Sequence, residues 1–244
     1  MSNTEIVEVN TQQQIAVREE LDVAITSAKA YPRNVFSSLE EIKTLISVSP
    51  EIAEKMQYSV KRGNEFVTGP SIRLGELFLY SWGNLRAQGR IKEIGGNYLV
   101  AEAVCFDLEK NVAVMKEVRK SIVNKDGVRY PETLINDIAQ GAISIAIRNA
   151  LFTIVPRVYV NEMLEYAKLI VAQHPTMKGK SVKERFDIAV KKFNEFKISK
   201  QNLLDYLAIN ENEVDEESIN ILIGLYNAVK TGEVDLKELK NENK

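Results

Sequence analysis

The chain has 244 residues, 45% hydrophobic and 27% charged, with a formal net charge of -2, one cysteine and one histidine. This composition excludes a wholly disordered chain, while a lone Cys105 excludes a disulfide framework or thiolate zinc site and a lone His174 leaves little room for a Ser-His-Asp or Cys-His nucleophile. No apolar run reaches the roughly 20 residues of a bilayer span and the polar opening MSNTEIVEVNTQQQ has no secretory apolar core, so a soluble, cytoplasmic protein without a membrane partner is expected.

The small net charge conceals segregation. Residues 1–54 carry 4 basic and 9 acidic side chains, 55–160 carry 15 and 10, 161–200 carry 9 and 5, and 201–244 carry 4 and 10. A middle of net +9 between ends of -5 and -6 suits a polyanion-binding core with acidic flanks, although ordinary surface scatter would give a similar count.

In chain order, a Gln-rich leader precedes a helix from about Ala16 to Ala30, which stops before YPRN because Pro32 disfavours helix in Tyr31. SSLEEIKTLISVS reads as a second helix, capped by a serine followed by glutamates and ended by Pro50. PEIAEKMQYSVKRGNEFVTG leads into GPSIRLGELFLYSWGN (69–84), where Gly69 and Pro70 occupy the N-cap and first-turn positions of a helix ending at Gly83-Asn84. Leu74, Leu77, Phe78 and Trp82 share one face of it. Its amide end, beside Lys61, Arg62 and Arg73, could hold a phosphate or simply water.

Three strands follow: LRAQGRIKEI, then YLVAEAVCFDLEKN after a GGN turn, then VAVMKEVRKSIV after Lys110-Asn111. NKDGVRYPET reads as a loop, and a long helix runs from about Leu134 to Val155, closed by Pro156. RVYVNEMLEYAKLIVAQ continues helically, HPTMKGK is a basic linker, and a small helical module starts near Ser181. In that module Ile219, Leu222, Ile223, Tyr226 and Val229 share one face and the helix ends at Gly232. The plan is α+β: N-terminal helices, then a core of helix, three-stranded antiparallel meander and long helix with one sheet face left available, then a small C-terminal helical module. The division expected is 1–54 for leader and helices with oligomer contacts, 55–172 for the core, 173–180 for the linker and 181–244 for an acidic partner-binding module.

On the first strand, alternation puts Arg86, Gln88, Arg90 and Lys92 on one face, about 6.6 Å apart, a repeat comparable to phosphate spacing on an extended single strand. On the third, Lys116, Val118 and Lys120 share a face with Arg119 opposite, and Lys125 and Arg129 follow in the loop. A solvated face whose lysines discourage edge pairing is the plain alternative. Tyr130, beside Arg129, is the best aromatic for base stacking. Arg148, in the apolar stretch GAISIAIRNALFTI, is costly to bury unpaired and is either a paired core residue or a groove charge awaiting phosphate. HPTMKGKS (174–181) resembles the second half of a phosphate-binding loop, but His174 stands where the loop needs glycine and no strand ending in a magnesium-binding aspartate follows.

The order helix, three-stranded meander, Ala/Ile-rich helix containing IRNAL resembles the core of the single-strand annealing superfamily of phage recombination proteins, the RecT, Redβ and Erf types, over about residues 55–160. YPRN, GPSIRLGE, SWGN and AIRNAL..IVP are similar to one phage family of such proteins, with Gly75 in place of the alanine of its GPSIRLAE helix. LLDYLAINENEVDEESINILIGLYNAVKTGE is similar to that family's C-terminal module. The resemblance implies a non-enzymatic, cofactor-free protein that coats single-stranded DNA as a ring or helical filament and pairs complementary strands without ATP. It implies a DNA groove between meander and long helix, with Arg148 on its helix wall, and a C-terminal module that meets an exonuclease or the host's single-strand binding protein. A non-annealing nucleic-acid adaptor and a nucleotide-hydrolysing recombinase using KGKS remain as alternatives.

Overall fold

The computed structural model describes residues 19–173, 178–234 and 236–240. Residues 19–30 form helix α1; positions 16–18 of the expected helix lie outside the described residues. Helix α2 (Val35–Ile46) starts two residues before the serine pair, because Asn34 is its N-cap and accepts a hydrogen bond from the Ser37 amide. It buries Leu39, Ile42 and Ile46. Pro50 does not end this helix; it opens the short α3 (Pro50–Glu54) in the first turn behind the Ser49 cap.

The stretch read only as a lead-in forms a hairpin, β1 (Gln57–Arg62) and β2 (Glu65–Pro70), paired antiparallel with Arg62 opposite Glu65. Its two-residue turn places Gly63 at φ +61°, a conformation glycine adopts without steric cost. Gly69 and Pro70 therefore end a strand and do not cap the next helix. That helix, α4 (Ile72–Ser81), is capped by Ser71, whose hydroxyl accepts from the amides of Arg73 and Leu74. Gly69 lies so close to the Tyr58 ring that a Cβ there would stand 3.0 Å from Cε1.

Strands β3 (Leu85–Ile94), β4 (Tyr98–Asp107) and β5 (Val112–Ser121) form the expected antiparallel meander in the order β3-β4-β5. Leu99, Ala101, Ala103 and Cys105 alternate along the inner face of β4 and are buried. Small side chains there admit the long helix α5 (Glu132–Ile154), which lays Ile135, Ala139, Ala142 and Ala146 against the sheet. Helix α6 (Arg157–Gln173) follows Pro156 and turns back at 118° to α5. Among the described residues no single helix is long and apolar enough to cross a membrane.

The C-terminal helices are α7 (Val182–Phe193), α8 (Lys200–Leu207), α9 (Glu216–Lys230) and α10 (Leu236–Leu239). They share one apolar cluster with the hairpin, since Val60, Tyr58 and Phe66 pack among Phe186, Leu203, Leu222 and Leu225. Helix α9 approaches β1 so closely that a Cβ on Gly224 would stand 2.5 Å from Ser59 Oγ. Asn227 Nδ2 fixes the contact by donating to the carbonyls of Glu54 and Gln57 at 2.7 and 2.8 Å. A second apolar cluster joins α2, α4, α6 and the end of α5 around Phe78, Trp82 and Leu151.

Candidate nucleic-acid interface

The expected basic rail does lie on the open face of the sheet, but it is threaded with acids. Arg90 faces Glu102 across the β3–β4 ladder and binds it at 3.0 Å, while Glu117 stands opposite Glu102 on β5 and receives Lys92 at 2.5 Å. The hydrogen bond to Glu117 raises the Lys92 ammonium above the ordinary lysine value. The β3–β4 register shifts at Lys92, between Ile91 and Glu93, yet Lys92 still reaches Glu102 and Glu117 on the face of Arg90. Arg86 reaches Glu20 of α1 at 3.4 Å, and Arg119 stacks over Tyr98 at 3.6 Å. This face is a mixed-charge lattice, not a row of one sign.

The other basic residues of β5 turn to the inner side. Lys116 lines a cleft of about 300 Å³ with Arg148, Asn149, Phe152 and Thr153 of α5, Arg157 of α6, and Tyr58 and Pro70 of the hairpin. Among the described residues three cations and no carboxylate line it, and Lys116 and Arg157 make no ion pair. Lys120 lies farther along the strand. Burial pushes its ammonium below the ordinary value, Glu233 and Glu238 oppose that, and Arg62 and Arg148 add to it.

Arg148 is 6% exposed, and its counter-charge within the chain is Glu233. Nη1 donates to both carboxylate oxygens at 2.6 and 2.7 Å, and the guanidinium lies over the Tyr58 ring at 4.0 Å. Among the described residues its Nε and Nη2 reach only Asn149 Oδ1, at 3.4 Å. Of the two expectations for Arg148, the paired core residue is the one observed, and the charge awaiting phosphate as its missing partner is corrected. A carboxylate from the acidic end of the chain occupies it.

The remaining candidates do not converge on the cleft. Lys61 is held by the C-terminal module, donating through Nζ to the Tyr206 carbonyl at 2.8 Å and lying over the Phe66 and Tyr206 rings. Arg62 is exposed near the hairpin turn. Arg73 pairs with Glu76 on α4 and lines a different cavity, of about 810 Å³, between α3, α7 and α9. That larger cavity is less suited to a polyanion, because Glu51 and Glu54 line it and Lys192, Arg185 and Lys230 are engaged by Glu54, Glu216 and Glu195. Lys125 is exposed in the loop after β5. Arg129 ties down the β3–β4 turn by donating to the Gly95 and Gly96 carbonyls at 3.1 and 3.2 Å. Tyr130 is half-buried against the cluster that joins sheet and α5, where its ring serves packing.

Sequence reasoning missed Tyr58, Asn149 and Arg157. Tyr58 belongs to the unrecognised hairpin, for which Gly63-Asn64 between QYSVKR and EFVTG was a usable turn signal. The KGKS segment follows helix α6 where a phosphate loop needs a strand, and Ser181 is used in a capping box with Glu184; His174 lies outside the described residues.

The segments YPRN, SWGN and GPSIRLGE have structural duties. Arg33 of YPRN donates to Asp107 and Glu109 at 2.5 and 2.9 Å and lies over the Trp82 ring at 5.5 Å. Asn84 of SWGN donates to the Tyr31 carbonyl and to Glu109, at 3.0 and 2.9 Å. YPRN and SWGN thus form one clasp at the β4–β5 turn. Gly75 of GPSIRLGE faces Leu151 of IRNAL, with a Cβ position 3.1 Å from Leu151 Cδ2. The chain matches no protein-family model, no curated protein and no solved structure.

Proposed function

We infer that the protein binds single-stranded DNA through the β5–α5 cleft and anneals complementary strands without ATP or a cofactor. It acts in phage recombination in the bacterial cytoplasm. The observation that carries this reading is the cleft itself: Lys116 and Arg157, which make no ion pair among the described residues, converge with the Glu233-paired Arg148 between β5, α5, α6 and the hairpin. Cations along a groove neutralise a phosphate backbone irrespective of sequence. The likeness of IRNAL, GPSIRLGE and SWGN to the annealing superfamily supports the same reading and adds a ring or filament of identical subunits. In it the C-terminal module engages an exonuclease or the host's single-strand binding protein.

Strand pairing between two complementary oligonucleotides tests it. Pairing should be accelerated over the spontaneous rate, with binding that weakens steeply with salt. Lys116→Ala and Arg157→Ala should each lower the salt slope by about one. Absence of both binding and acceleration at low salt overturns the reading. Binding without acceleration selects the adaptor instead.

A further inference from the structure

We propose that Glu233 is an internal stand-in for DNA phosphate: the turn after α9 seats a carboxylate on Arg148 and holds the cleft in a low-affinity form, which single-stranded DNA opens by replacing that carboxylate. This rests on the function inferred above and concerns regulation of the same site.

The pair has the chemistry of a displaceable latch. A guanidinium binds a carboxylate and a phosphate through the same N–H donors, so one can exchange for the other at a single arginine. Arg148 gives Glu233 only Nη1, while among the described residues Nε and Nη2 make only 3.4 Å contacts to Asn149, a residue that lines the cleft with it. The Tyr58 ring supports the guanidinium from beneath, whichever anion it holds. Glu233 and Glu238 also act on Lys120, so the acidic end of the chain offsets more than one cation of this face.

The attachment is local. Past Lys230 the chain turns through Gly232 at φ +71°, and the Glu233 amide donates to the Ala228 carbonyl at 2.8 Å. The turn reaches α5 because position 141 has no side chain: a Cβ on Gly141 would stand 3.0 Å from the Thr231 carbonyl oxygen. Helix α9 is meanwhile anchored to β1 through Gly224 and Asn227. Release of Glu233 therefore leaves the helix docked.

Two full-length variants test the latch from different sides. Glu233→Gln removes the charge and keeps the shape, and Gly141→Ala keeps every charge and crowds the turn. Binding of a fluorescent thymidine oligonucleotide of about 30 nucleotides is measured by anisotropy at low salt, with hydrogen exchange of the wild type with and without it. Both variants should bind about tenfold more tightly or better, a change of about 1.4 kcal/mol. In the wild type, the Glu233 amide should lose protection on DNA binding while residues 222–228 keep theirs. Variants that fold and bind no more tightly than a wild type that binds overturn the latch and leave the function standing, and so does unchanged protection at Glu233. Failure of wild type and variants alike to bind overturns the function and the latch together.

Discussion

Arg148 and Glu233 are 85 positions apart in the chain and 2.6 Å apart in space, both nearly excluded from water. Breaking such a pair from one side leaves the other charge buried. Arg148→Ala should therefore destabilise the fold by about 3–5 kcal/mol, read from urea unfolding. Replacing both partners with apolar residues, Arg148→Met with Glu233→Leu, should recover most of that loss, since neither buried charge then remains. A single variant as stable as the wild type would show that the pair is solvated.

The clasp around Arg33 carries a pH signature. Burial alone would raise the Glu109 carboxyl, but hydrogen bonds from the Arg33 amide, Asn84 and the Arg33 guanidinium, with the guanidinium's charge, outweigh it and hold the group below the ordinary carboxylate value. The stabilisation is therefore fully present above the unfolded value of about 4.3 and is lost as pH falls through the lower folded value. Arg33→Met should lower stability by about 3–5 kcal/mol at neutral pH. It should also flatten the acid limb of a melting-temperature profile. A variant retaining the wild-type limb would place the acid sensitivity elsewhere.

The meander and the long helix were legible because alternation and turn residues are local signals: Leu99, Ala101, Ala103 and Cys105 repeat every second residue, and Asn111 sits at φ +54° in the turn where Lys110-Asn111 suggested one. The β1–β2 hairpin was not, since Lys61, Arg62 and Glu65 give it the polarity of a loop, and its burial comes from helices more than 100 residues later. Strand periodicity placed Arg90 and Lys92 on a face but said nothing of Glu102 and Glu117, which register brings beside them. Arg148 showed the same limit more sharply. Its cost of burial was visible locally, whereas the carboxylate that offsets it arrives with the C-terminal turn.

Close approach of sheet and helix gives a steric prediction. A Cβ on Gly89 would stand 2.7 Å from Ile143 Cγ2 and 3.0 Å from Ile147 Cγ1, so Gly89→Ala forces β3 and α5 apart. The expected cost is about 1–3 kcal/mol. Gly96, in the β3–β4 turn, has nothing within 4 Å of its Cβ position, and Gly96→Ala should stay within about 0.5 kcal/mol of the wild type. Chemical denaturation of the two variants side by side separates packing from backbone effects. Equal losses would contradict the packing account.

Cys105 provides a native reporter of the same interface. It is fully buried on β4, and burial, with the negative charge of Asp107 adding to it, pushes the thiol up to about 11. Because the thiolate is the reactive form, the native protein should react with a disulfide reagent at pH 8 far more slowly than a free cysteine. It should react at the free rate once unfolded in urea. The linkage sign follows from the raised value: the folded state keeps its proton where the unfolded thiol, near 8.5, has lost it. Stability should accordingly fall as pH rises from about 8.5 toward 11, by up to about 1.4 kcal/mol per unit of separation. Cys105→Ala should remove that alkaline component, and rapid native labelling at pH 8 would mean that β4 and α5 part readily in solution.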